Sequence, residues 1–191
     1  MRKETRVPIL SEQACTYPEN LLESPPLDLP DRRWWVLYTK ARQEKALSRD
    51  LFGYRIPFYL PQVKKTTLRR GRKMSSYIPL FSGYVFLFAS EVERVKSLTT
   101  NRISRVLSVD DGEKLCYDLR QLQRLIASNA PVTVESRLSA GARVRVKQGP
   151  LMGLEGTVLT RRGETRLLIA VDFLQQGASV EIEDFSLERL D

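Results

Sequence analysis

The hydrophobic pattern changes period several times along the chain, and each change marks an element. Trp34-Trp35-Val36-Leu37-Tyr38-Thr39 is a run of bulky aromatic and β-branched residues, which predicts a strand. From Ala41 to Leu51 the small or apolar positions are Ala41, Ala46, Leu47 and Leu51, with charges between them. That spacing predicts an amphipathic helix ending near Gly53. Ile56 to Pro61 is apolar but carries two prolines, which suit a strand end or a sheet edge. Val63 to Tyr77 reads as a basic hairpin turning at Arg70-Gly71-Arg72. Gly83-Tyr84-Val85-Phe86-Leu87-Phe88 is the strongest strand signal in the chain. A short helix is predicted over Glu91 to Leu98, and a strand over Arg105 to Val109 closed by a turn at Asp110-Asp111-Gly112. A helix over Asp118 to Ala127 follows, with Leu119, Leu122, Leu125 and Ile126 on one face.

The order β-α-β-β-β-α-β-α predicts one sheet with helices on a face, an α+β sandwich spanning residues 32–128. Residues 1–31 hold five of the ten prolines and no apolar period, so a disordered or loosely packed extension is expected there. Residues 129–140 are polar, contain Pro131 and read as a linker. From 141 to 191 the pattern shortens. Strands are predicted over Arg143 to Gln148, Leu154 to Arg161, Arg166 to Phe173 and Ser179 to Glu183. Glycine turns separate them, which suggests a small β-barrel. Leu167 to Leu174 alone fits either a strand or a helix; the flanking glycine turns favour the strand.

Composition narrows the chemistry. There is no histidine among the 191 residues, which excludes His-containing zinc sites, histidine general bases and Ser-His-Asp triads. No glycine pattern of the Walker or Rossmann kind is present. No catalytic constellation, cofactor site or metal site is therefore expected. The two cysteines, Cys15 and Cys116, read as free thiols. No apolar run reaches the ~18 residues of a membrane span, and the N-terminus lacks signal-peptide order, so a soluble cytoplasmic protein is expected. The net charge of +8 is unevenly placed: residues 32–73 carry thirteen Lys and Arg against Glu44 and Asp50. Concentrated positive charge points to a polyanion partner, with a plain solvated surface as the bland alternative.

Four stretches carry a family resemblance. Gly141-Ala142-Arg143-Val144-Arg145-Val146-Lys147-Gln148-Gly149-Pro150-Leu151-Met152-Gly153-Leu154-Glu155-Gly156-Thr157-Val158 resembles a KOW motif. Val144 and Val146 alternate inward and Arg143, Arg145 and Lys147 outward, and the glycines serve a tight turn. KOW modules also occur in ribosomal proteins. Upstream, Arg33-Trp34-Trp35-Val36-Leu37-Tyr38 before a helix containing Glu44 resembles the opening of the NusG N-terminal (NGN) domain. Pro79-Leu80-Phe81-Ser82-Gly83-Tyr84-Val85-Phe86-Leu87 resembles that family's Phe-Pro-Gly-Tyr-Val strand entry, and Ser104-Arg105-Val106-Leu107 its Pro-Arg-Val strand. Ser82 and Ser104 stand where the family has proline. With the short hairpin Thr67-Leu68-Arg69-Arg70-Gly71-Arg72-Lys73 and the run Trp35 to Lys40, these departures are similar to specialised RfaH-like paralogues rather than the general factor.

The resemblance implies an NGN sandwich, a linker and an SH3-like KOW barrel in a monomeric transcription elongation and antitermination factor. In this family the NGN domain binds the clamp helices of the RNA polymerase largest subunit through an apolar, aromatic concavity. The matching positions are Tyr38, Phe81, Tyr84 and Phe86, whose alternative role is core. Lys40, Arg42, Arg102 and Arg105 are placed to meet non-template DNA, as is the hairpin run Lys64 to Lys73, which could instead reach another polymerase element. The KOW partner, Rho or a ribosomal protein, is expected around Phe173 and Leu174.

Overall fold

A computed structural model describes residues 14–23, 31–69, 72–137, 141–161, 163–182 and 187–190. In it the aromatic run becomes strand β2 (Arg33–Thr39), an interior strand of a five-stranded antiparallel sheet. The sheet is completed by β1 (Thr16–Tyr17), β3 (Phe58–Tyr59), β6 (Tyr84–Ala89) and β7 (Ile103–Ser108), in the order β1-β3-β6-β2-β7. Strand parity sorts the side chains into two layers. Trp35, Leu37, Val85, Leu87 and Phe58 join Leu47 and Leu51 of helix α1 (Glu44–Gly53) in one buried cluster. Trp34, Val36, Phe86, Phe88 and Tyr59 join Leu115, Leu119, Leu122 and Leu125 of helix α3 (Gly112–Ala127) in the other. The helices thus cover both faces, not the single face expected, because β2 and β6 are apolar at consecutive positions.

Helix α2 (Glu91–Leu98) starts at a capping box: the Ser90 side chain accepts from the Glu93 amide while Glu93 accepts from the Ser90 amide. Helix α3 begins six residues earlier than the apolar stripe predicts. Asp111, expected in a turn, is its N-cap and accepts from the Lys114 amide at 2.8 Å. The hairpin forms as predicted, a separate ribbon of β4 (Gln62–Arg69) and β5 (Arg72–Pro79). Of its expected turn residues, Arg72 instead opens β5 opposite Arg69, and Arg70 and Gly71 lie outside the described residues.

Two expectations about connecting segments fail where the chain is described. Residues 14–23, within the stretch expected to be disordered or loosely packed, are folded in: β1 extends the sheet edge and Leu21 and Leu22 are fully buried. The apolar pair was missed because it stands alone among prolines and acids, without a period to reveal it. Inside the expected linker, β8 (Val132–Glu135) joins the C-terminal sheet by pairing with β12 (Gln176–Glu181). Side chains fasten it there. The guanidinium of Arg166, itself buried, donates to Thr133 Oγ1 and Ser179 Oγ at 2.9 Å each, and Ser179 Oγ lies 2.7 Å from Glu135 Oε1.

The C-terminal sheet is antiparallel in the order β13-β9-β10-β11-β12-β8. It adds β9 (Arg143–Val146), β10 (Glu155–Arg161), β11 (Glu164–Val171) and β13 (Leu187–Arg189). Val144 and Val146 are buried and Arg143 and Arg145 exposed, as the alternation requires. Of the ambiguous stretch Leu167 to Leu174, the part up to Val171 is strand, and Asp172–Leu174 is a 3-10 turn. Helix α3 is shared between the units: its cluster continues into Val144, Leu154, Leu167 and Ile169, so the C-terminal sheet packs on the N-terminal unit across one core.

Candidate functional site

The four aromatic positions singled out in the sequence separate into two pairs. Tyr38 and Tyr84 are cross-strand partners on β2 and β6, with ring centroids 5.2 Å apart. Tyr38 is 42% exposed and Tyr84 half-buried, so this pair is open to solvent. Phe81 and Phe86 are not: they are 1% and 0% exposed. The expectation that Tyr84 and Phe86 present one exposed face is corrected for Phe86. Its ring stacks on Tyr59, and the layer above is filled by α3 together with Leu21 and Leu22.

The turn that delivers Tyr84 is built around Gly83. Its φ of +85° lies in the left-handed region, and a Cβ there would come within 2.9 Å of Tyr38 Cε2. Only glycine lets the Tyr38 ring lie over the turn. The turn is held from two sides. The Gly83 carbonyl accepts from the Thr39 amide at 2.8 Å, and the Gly83 amide donates to Glu44 Oε1 at 2.7 Å. Glu44 is 6% exposed, a buried carboxylate whose partner is this backbone amide. Sequence reasoning met Glu44 only as part of a motif and missed its role. The signal available was a carboxylate at the start of a helix, where negative charge suits the dipole.

Three of the four expected basic positions gather beside the tyrosines. Arg105 is exposed on β7 directly opposite Tyr38. Lys40 follows β2, its amide donating to the Arg102 carbonyl at 2.8 Å and its ammonium to Asn101 Oδ1 at 2.7 Å. Arg42 is exposed at the next bend. Arg102 differs: its guanidinium donates to Asp50 at 2.6 Å and to Gln43 at 2.6 Å. It braces α1 against the entry to β7 rather than offering a free charge. Lys64, Lys65 and Lys73 stand exposed on the hairpin, interleaved with exposed Leu68, Met74 and Tyr77.

Phe173 and Leu174 lie in a 3-10 turn, Asp172–Leu174, that follows β11. Phe173 is 37% exposed, while Leu174 packs against the shared core. This turn is docked on α3. The Asp172 amide donates to Asp118 Oδ2 at 3.0 Å, and the Lys114 ammonium bridges Asp118 at 2.5 Å and Asp172 at 2.9 Å. One turn along, Tyr117 donates to Glu155 Oε2 at 2.5 Å, and Arg124 reaches the carbonyls of Met152 and Gly153. Lys114, Tyr117, Asp118, Glu155 and Asp172 line a cleft of about 240 Å³ between the units. Burial holds the Asp118 carboxyl above its usual range despite Lys114. Burial, then the bond to Glu155, raises the Tyr117 phenol, and the Tyr117 and Arg145 donors lower Glu155.

Residues 32–125, the stretch that holds this tyrosine corner, match the family model described as "Transcription termination factor nusG". Two similar relatives are the transcription termination/antitermination proteins NusG of Vibrio parahaemolyticus serotype O3:K6 and Vibrio cholerae serotype O1. Each is 26% identical over 187 residues, covering 86% of this chain and 99% of the relative. A solved structure titled "Domain interaction in Thermotoga maritima NusG" is similar at a TM-score of 0.43 and 16% identity, covering 84% of this chain and 98% of that one. Residues 32–125 are thus matched by a NusG-family domain, and the chain over most of its length is similar to full-length NusG proteins.

Proposed function

We propose that this chain is a transcription elongation factor that binds RNA polymerase and promotes processive elongation and antitermination, performing no chemistry of its own. The observation that carries the reading is the open Tyr38–Tyr84 pair at the corner of the sheet, held in place by Glu44 and Gly83 and flanked by Arg105, Lys40 and Arg42. Exposed tyrosines bury large area at small entropic cost, which suits an interface anchor. The partner is the clamp-helix pair of the polymerase largest subunit. The neighbouring cations and the basic hairpin add salt-dependent contacts to non-template DNA. The N-terminal unit acts as the NGN domain, and the C-terminal sheet as a KOW module that recruits Rho or a ribosomal protein through the surface around Phe173. That surface adjoins the docked Asp172, so recruitment competes with docking on α3.

Within the family we place the chain among the operon-specific RfaH-like paralogues, working as a monomer in the cytoplasm. Ser82 in the strand entry and the segment ahead of residue 32, which the family match does not include, support this. The test is affinity capture with the tagged chain from its own host. Recovery of RNA polymerase, weakened by Tyr38→Ala and Tyr84→Ala in variants that keep their thermal transition, is expected. Recovery of ribosomal subunits without polymerase would identify a KOW-containing ribosomal protein instead.

A further inference from the structure

Residues 14–23 lie ahead of the family match, yet they reach across the layer that contains Phe81 and Phe86. At one end β1 adds to the sheet edge. Thr16 and Tyr17 pair with Tyr59 and Phe58, and the Cys15 carbonyl accepts from the Leu60 amide at 2.6 Å. In the middle, Leu21 and Leu22 are fully buried in the cluster that holds Tyr59, Phe81 and Phe86. At the far end the Leu22 carbonyl accepts from Arg120 of α3 through Nε at 2.9 Å and Nη2 at 2.7 Å, with Cys116 Sγ at 3.6 Å. The segment thus spans from edge strand to helix. It is anchored by two paired residues, two leucines, the Cys15 and Leu22 carbonyls and the edge contact of the Tyr17 ring on Phe52.

The segment lies at one end of the strand order β1-β3-β6-β2-β7, so the pairing of β3, β6, β2 and β7 does not run through it. A short peripheral element with so few attachments opens at lower cost than the domain unfolds. What it covers is the apolar, aromatic end of the sheet whose uncovered corner is the Tyr38–Tyr84 pair. We propose that residues 14–23 are a strap that occupies part of the polymerase-binding face and is displaced when the chain docks, the partner's apolar side chains replacing Leu21 and Leu22. This rests on the polymerase-binding reading of that face. The strap scales apparent affinity by the fraction of time it is open.

The test uses the full chain with Cys15→Ser, so that Cys116, beneath the strap, is the only thiol. Two variants loosen the strap at different points: Leu21→Asp with Leu22→Asp, and Arg120→Ala at the far anchor. Each is expected to speed Cys116 labelling by a small thiol reagent at least tenfold, to keep a cooperative thermal transition, and to bind purified RNA polymerase at least tenfold more tightly. Unchanged polymerase affinity with faster labelling would overturn the strap as a cover of that face. Loss of the cooperative transition in both variants would show the segment to be core and overturn it equally. Failure of every form, parent included, to bind polymerase would instead sink the polymerase reading, and Cys116 labelling would then report separately whether the segment opens.

Discussion

The Gly83 amide donates to the buried carboxylate of Glu44 at 2.7 Å, and this bond joins the start of α1 to the turn that presents Tyr84. Removing the acceptor leaves a backbone amide without its partner. Glu44→Ala is therefore expected to cost about 1–3 kcal/mol of stability, the usual penalty for an unsatisfied buried donor. Glu44→Gln keeps an acceptor and is expected to cost less. Denaturant midpoints of the two variants check this. Equal losses would mean the carboxylate acts through its charge rather than through this bond.

Glycines in the chain separate strain from space. Gly83 has both constraints, a φ of +85° and Tyr38 within 2.9 Å of the place a methyl group would take; Gly149 has a φ of +82° and nothing within 4 Å. Gly149→Ala should show only the backbone penalty, somewhat above the ~1 kcal/mol scale of such changes. Gly83→Ala should lose more and push the Tyr38 ring off the turn. Polymerase affinity should then fall for Gly83→Ala and hold for Gly149→Ala. A parallel fall in both would detach binding from the tyrosine corner.

The sequence was most legible where burial leaves a period. Strands β2 and β6, helix α2 and the hairpin were all readable, because their apolar residues fall in dense runs or at helical spacing. Three features were not. Leu21 and Leu22 are an isolated apolar pair, and nothing local tells a buried pair from an exposed one. Thr133 and Glu135 look like linker residues, since their partners Arg166 and Ser179 lie more than 30 positions away. Phe86 shares strand parity with Tyr84, which suggested one open face; parity fixes a face but says nothing about what covers it. The tyrosine corner was partly readable from Gly83-Tyr84, while its support by Glu44 is a tertiary contact.

The Arg166 network makes β8 part of the C-terminal sheet. Arg166→Met keeps the apolar stem but removes the donors to Thr133 and Ser179, through which β8 is fastened. Losing charge-assisted hydrogen bonds of this kind costs about 1.5–3 kcal/mol. The expected result is selective: amide exchange of Val132 to Glu135 and their partners Gly177 to Val180 accelerates while β9 and β10 stay protected. Uniform acceleration across the sheet would show that the network supports the whole unit instead.

Docking of the C-terminal sheet on α3 carries a pH signature. Tyr117 holds its proton more tightly when docked, through burial and then its bond to Glu155. Lys114 does so too: burial opposes its charge, but the bonds to Asp118 and Asp172 outweigh it. Groups with raised values contribute fully below their ordinary values of 10.0 and 10.5, and the contribution is lost as pH rises through the docked values. On the acid side Glu155, lowered by the Tyr117 and Arg145 donors, loses its contribution as pH falls through its docked value. Asp118, raised by burial, works the other way and offsets it. Alkaline release is thus the clean window: the units should separate above about pH 10, measured as an increase in radius of gyration at constant β-sheet circular dichroism. Tyr117→Phe cannot ionise at this position, so its docking should be weaker at neutral pH and its alkaline release shallower. An identical release profile in that variant would assign the transition to Lys114 instead.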